Sequence, residues 1–161
     1  MMGQEVEILL VEDNPADVEL TLHALRQGKL ANHIEVARDG EEALDFLFCR
    51  GPHAHGSFEQ PPRVVLLDLK LPKVDGMEVL REAKKDPRTK AIPVVILTGS
   101  REESDMINGY HLGVNGYIQK PVDFDSFRNI VKQLGLYWLV VNQAPPPAAF
   151  RPADGGENER S

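Results

Sequence analysis

The sequence predicts an α/β fold of the doubly wound kind, a parallel sheet with helices on both faces. Short apolar runs, most rich in β-branched residues, recur at Ile8-Leu9-Leu10-Val11, Ile34-Glu35-Val36-Ala37, Val64-Val65-Leu66-Leu67, Val94-Val95-Ile96-Leu97 and Tyr117-Ile118-Gln119. Stretches with helical spacing separate them, as buried parallel strands joined by crossover helices require. Several runs also end in residues that carry chemistry: Glu12-Asp13, Asp68, Thr98 and Lys120-Pro121. Ligands of an open α/β sheet bind outside the carboxyl ends of its strands. Three carboxylates, a hydroxyl and an ammonium therefore meet at one edge, which implies a phosphoryl site built around a metal.

The elements follow in order. After the first strand, Asp13-Asn14 can cap a helix with Pro15 in its first turn, where the missing N–H does no harm. Val18, Leu22 and Leu25 form its apolar face, and Gly28 closes it. Asp39 and Glu42 have capping-box spacing before a second helix that buries Ala43, Leu44 and Leu47. Asp75 caps a third helix carrying Met77, Val79 and Leu80; Asp86-Pro87 ends it, because a residue before proline disfavours the α region. Ser100 and Glu103 pair similarly ahead of a fourth helix that Gly113 terminates. Asp123 starts the last, with Phe124, Phe127, Ile130, Val131, Leu134 and Trp138 along one face. Five alternating units imply five parallel strands in the flavodoxin-like order 2-1-3-4-5.

Composition narrows the classes. The 161 residues suit one domain at 6–141 after a short lead at 1–5, with a Pro-rich, flexible tail at 142–161. That leaves no room for a second folded output domain. Cys49 is the only cysteine, so no disulfide framework exists and a reducing, cytoplasmic setting is expected. No apolar run approaches the roughly 20 residues of a membrane span. A net charge of −7 argues against direct nucleic-acid binding. Between Arg50 and Pro62 lies a long connection, a length usually functional or disordered. Cys49, His53 and His55 there lack the paired spacing of a zinc site, and we assign them no metal.

Taken together, Leu9-Leu10-Val11-Glu12-Asp13, Leu67-Asp68-Leu69-Lys70-Leu71-Pro72 with Asp75-Gly76, Leu97-Thr98-Gly99-Ser100 and Tyr117-Ile118-Gln119-Lys120-Pro121 resemble the receiver domain of two-component response regulators. The resemblance spans roughly Val6 to Val141. It implies a phosphoacceptor at Asp68, with Thr98 and Lys120 completing the catalytic set. It also implies Mg²⁺ held by Asp13 and Asp68, with Glu12 through a water and the backbone carbonyl of Lys70. Thr98 and Tyr117 would form a switch, the ring turning inward as the threonine moves, and the Lys120-Pro121 bond would be cis. Gly76 is expected to permit a turn, with Leu71-Pro72 shaping the loop. Lys70 and Ser100, beside the path of an attacking water, would tune the lifetime of the acyl phosphate.

The expected protein is therefore a single-domain response regulator, not an enzyme, whose partner is a histidine kinase. The long connection after Cys49 and the segment from Asp123 to Leu139 are similar to regulators paired with bacterial phytochromes, which points to a bacteriophytochrome kinase. The apolar run Leu136 to Val141 exceeds what one helix face can bury, so a homodimer through the C-terminal helix and the segment after it is expected. Two other classes compete. A haloacid-dehalogenase-type phosphohydrolase would want an aspartate two residues after the nucleophile, where Lys70 stands. A phosphorylation-independent adaptor would commonly have lost an acidic or lysine position, and none is missing.

Overall fold

Both faces of a parallel sheet must be covered, and its central strands are near-continuous apolar runs for that reason. The computed structural model describes residues 6–27, 33–99 and 113–135. Five strands, β1 (Ile8–Val11), β2 (Ile34–Ala37), β3 (Val64–Asp68), β4 (Val94–Thr98) and β5 (Gly116–Gln119), pair in parallel in the order β2-β1-β3-β4-β5. β1, β3 and β4 are buried along their whole length. The predicted order holds.

Side chains alternate across the sheet and feed two cores. Ile8, Leu10, Val64, Leu66, Val95, Leu97 and Ile118 meet α1 (Pro15–Gln27), through Val18 and Leu25, and a C-terminal helix labelled α4 (Phe124–Gln133), through Phe127, Ile130 and Val131. Leu9, Val11, Val65, Leu67, Val94 and Ile96 meet α2 (Gly40–Leu47) and α3 (Gly76–Lys85) on the other face. Each helix buries the stripe its apolar spacing predicts, α2 through Ala43, Leu44 and Leu47.

The caps are largely those expected. Asp39, Asp75 and Asp123 each accept the backbone N–H three residues on, at 2.7, 3.0 and 2.7 Å. Such a cap contributes about 1 kcal/mol relative to alanine. The Glu42 carboxylate returns to the N–H of Arg38, one residue before the position a capping box would use. At α1 the ambiguity resolves onto Asn14, whose Oδ1 accepts from the N–H groups of Ala16 and Asp17. Asp13 is thereby released from capping and left at the strand end.

The 50–62 connection is built on the α2–α3 side. Cys49 takes a left-handed φ of 55°, a one-turn 3₁₀ helix (Gly51–His53) follows, and the chain is anchored by aromatic contacts. His53 packs edge-on against Phe46, Phe58 does so against Phe48, and the Arg88 guanidinium lies 4.3 Å from the Phe58 ring centre while pairing with Asp86. His55 is exposed. Gly28, the fourth predicted helix with Ser100 and Glu103, Trp138, the apolar run to Val141, the lead and the tail lie outside the described residues.

Candidate phosphoryl site

The strand ends bring the expected groups together. Glu12 follows β1 and is 1% exposed; Asp68 closes β3 at 6% and Thr98 closes β4 at 3%. Asp13 stays exposed beside them. Oxygens of Glu12, Asp13 and Asp68 lie within 4.8 Å of one another. Lys120 follows β5, with its N–H bonded to the Thr98 carbonyl at 2.7 Å and its bond to Pro121 cis. Its ammonium donates to Glu12 Oε1 at 3.1 Å, Asp68 Oδ2 at 3.2 Å and Asp17 Oδ2 at 3.2 Å.

Asp17 is the residue the sequence reading missed. It sits in the first turn of α1, where an acidic residue is ordinary because it complements the helix dipole. No motif marks it. Only the spatial approach of that turn to β5, 103 positions later in the chain, gives it a role.

The loop after Asp68 departs from expectation at Gly76. The left-handed backbone that the turn needs falls on Lys73, with φ 69°, and Gly76 has no such conformation. What it supplies is proximity: a Cβ there would stand 2.4 Å from the Asp68 carbonyl oxygen and 2.6 Å from Leu69 Cα. Its N–H bonds the Leu69 carbonyl at 2.9 Å, tying α3 directly to the end of β3. The Lys70 N–H points back to Asp68 Oδ1 at 3.4 Å. Tyr117 is half-buried on the α2–α3 side, opposite Ile96 and therefore two residues from Thr98 on the same face.

The electrostatics follow from this convergence of charge. Burial, followed by the hydrogen bond and charge of Asp68, pushes the Glu12 carboxyl up to about 7, although the Asn14 N–H and Lys120 pull it down. Burial works against the Lys120 charge, yet Asp68 and Glu12 outweigh it and hold the ammonium above its ordinary range. One ammonium does not neutralise this many carboxylates. Hard oxygen donors in negative excess, one of them open to solvent, fit a hard divalent cation that keeps some of its water.

A pH dependence follows for the metal-free protein. Glu12 moves from an unfolded value of 4.5 to about 7 on folding, so the folded state binds the extra proton between those values. Its contribution to stability is full below pH 4.5 and is lost as pH rises through 7. Relative to Glu12→Gln, the wild type in chelator should lose up to about 3 kcal/mol across that window. Urea denaturation at a series of pH values measures this; parallel curves for the two proteins would contradict it.

The profile of the response regulator receiver domain family matches residues 8–132. The chain belongs to the response regulator receiver family. Among curated relatives, it is 44% identical over 141 residues to the probable methanogenesis regulatory protein FilR2 of Methanothrix harundinacea, with 88% of each chain covered. It is 41% identical over 134 residues to response regulator Rcp1 of Synechocystis, covering 82% of this chain and 88% of Rcp1. The solved bacteriophytochrome response regulator AtBRR superposes with a TM-score of 0.78 at 52% identity, over 84% of this chain and 96% of AtBRR. The Mn²⁺-bound form of Rcp1 gives 0.67 at 38% identity, over 88% and 99%. Receivers bind a divalent metal at an acidic strand-end site and act with histidine kinases; where relatives such as PleD are enzymes, other domains do the work. No helix among the described residues is long and apolar enough to cross a membrane.

Proposed function

We propose that this response regulator accepts a phosphoryl group on Asp68 from a partner histidine kinase in an Mg²⁺-dependent reaction. The observation that carries this is the Lys120 ammonium 3.2 Å from the buried Asp68 carboxylate, beside the Glu12–Asp13 pair. An Asp68 oxygen attacks phosphorus of the phosphohistidine in line, the P–N bond breaks, and the imidazole leaves with the electron pair. Lys120 supplies charge to one equatorial oxygen. The Thr98 hydroxyl and a backbone N–H near Gly99 hold another. Asp13, Asp68, the Lys70 carbonyl and, through water, Glu12 would hold Mg²⁺, which would supply further neutralisation of the charge on the transferring group.

The added charge of about −1.5 to −2 draws Thr98 and Lys120 inward, and Tyr117 turns into the space vacated. The product acts through protein contacts or passes its phosphoryl group on, in the cytoplasm and without touching nucleic acid. A bacteriophytochrome is the kinase we favour, on the strength of AtBRR and of the aromatic-anchored 50–62 connection. To test the assignment, the protein is incubated with acetyl phosphate and Mg²⁺ and the modification located by mass spectrometry. Asp68 should carry it, and chelation should prevent it. Phosphate on another residue would overturn the assignment.

The homodimer remains part of this reading, resting on the apolar run from Leu136 to Val141. Light scattering should show a dimer for the full chain and a monomer for a truncation after Leu134. A monomeric full chain at high micromolar concentration would sink the idea.

A further inference from the structure

The Lys120 ammonium has three N–H donors, and all three are spoken for, by Glu12, Asp17 and Asp68. A phosphoryl oxygen can gain one of them only if a present acceptor lets go. The three acceptors differ in how readily they do so. Asp68 loses its carboxylate charge when its oxygen bonds to phosphorus. Glu12, with Asp13 and Asp68, belongs to the group whose oxygens converge within 4.8 Å and can turn to a cation instead. Asp17 has neither exit. It is not among those three, its backbone is fixed in the first turn of α1, and it forms no bond to phosphorus.

We infer that Asp17 is a positioning residue that competes with the phosphoryl group for Lys120 and so weakens the phosphorylated state. The inference rests on Asp68 being the phosphoacceptor. Two effects act in the same direction. The Asp17 carboxylate holds the ammonium toward α1, and its own charge repels an incoming dianion. With side chains 35% and 23% exposed, Asp17 and Lys120 are partly screened by water, so the effect is moderate. The role this gives α1 is regulatory: its first turn sets how much phosphodonor is needed to keep the regulator switched.

Beryllofluoride, a phosphoryl mimic, is titrated at saturating Mg²⁺ into the full chain and followed by ¹⁹F NMR. Asp17→Asn should bind it about 1.5- to 5-fold more tightly than wild type, the range a partly exposed charge pair spans. Asp17→Glu, which restores the carboxylate, should bind close to wild type. The apparent KM for acetyl phosphate should fall in Asp17→Asn by a similar factor, while calorimetry without fluoride shows Mg²⁺ binding no weaker. Thermal melting establishes that each variant is folded. Equal or weaker beryllofluoride binding by folded Asp17→Asn would overturn the inference while leaving Asp68 in place, and so would weakened Mg²⁺ binding, which would make Asp17 a metal ligand. If wild type itself bound no beryllofluoride, the phosphoacceptor assignment would fall first and this inference with it.

Discussion

Asp68→Asn should yield a folded protein that takes up no phosphate from acetyl phosphate or from a kinase. The amide is nearly isosteric with the carboxylate, and the side chain closes a strand whose pairing to β1 and β4 is backbone hydrogen bonding. Nothing in the sheet depends on the charge. The chemistry does, because an amide oxygen is a far poorer nucleophile and no other described carboxylate combines its burial with contact to Lys120, except Glu12. Glu12 is therefore the informative control. Its carboxyl is held up to about 7 by burial and by Asp68, and removing the Asp68 charge relieves part of that. Mass spectrometry of Asp68→Asn should find no phosphoryl adduct at Glu12 or elsewhere. Uptake at an undiminished rate would show the nucleophile to be another residue.

Gly40→Ala should be among the most destabilising single changes, although it adds only one methyl group, at the buried first residue of α2. A Cβ there would stand 1.7 Å from the Val74 carbonyl oxygen and 2.5 Å from its carbonyl carbon. Both are backbone atoms in the loop between Asp68 and α3, and the Gly40 N–H already bonds the Pro72 carbonyl of that loop at 3.3 Å. No rotamer change can relieve the clash. Either α2 withdraws, uncovering Ala43 and Leu44, or the loop moves and takes Leu69 and Gly76 with it. Overpacking a close contact costs roughly 1–3 kcal/mol, and more where, as here, the opposing atoms are backbone. Chemical denaturation should show a lower midpoint with an unchanged slope. A midpoint equal to wild type would mean that the 70–75 loop yields freely, contrary to its ties at both ends.

The legibility of the chain divides along physical lines. Strand order and helix faces could be read because buried parallel strands are uniformly apolar and helices repeat their apolar residues at a fixed spacing; Val18, Leu25, Ala43, Leu44 and Leu47 all fall where that spacing puts them. Caps were legible because a carboxylate three residues before a free N–H is a local arrangement. Asp17 was not, since its partner is 103 positions away and its own position looks like an ordinary first-turn acid. Gly76 was misread for a related reason. Composition says that a glycine is needed, but whether for backbone conformation or for want of space depends on what stands against it, here Asp68 and Leu69. The anchoring of the 50–62 connection depends on Arg88, from beyond β3, lying against Phe58, which no window along the chain contains.

The pleat of the strands has a further consequence for how a signal could be watched. Asp68 continues the series Val64, Leu66 that lines the α1–α4 core, whereas Thr98 continues Val94, Ile96 and Tyr117 lies beside them in the α2–α3 core. A perturbation beginning at Asp68 and received by Thr98 must therefore change sides of the sheet between two adjacent strands. Neighbouring residues of one strand then become a matched pair of reporters. In methyl-labelled protein, Val94 and Ile96 view the receiving side while Val95 and Leu97, a peptide bond away, view the side of origin. Spectra taken with and without beryllofluoride would weigh the two halves of the molecule against each other inside a single strand, each methyl the reference for the next.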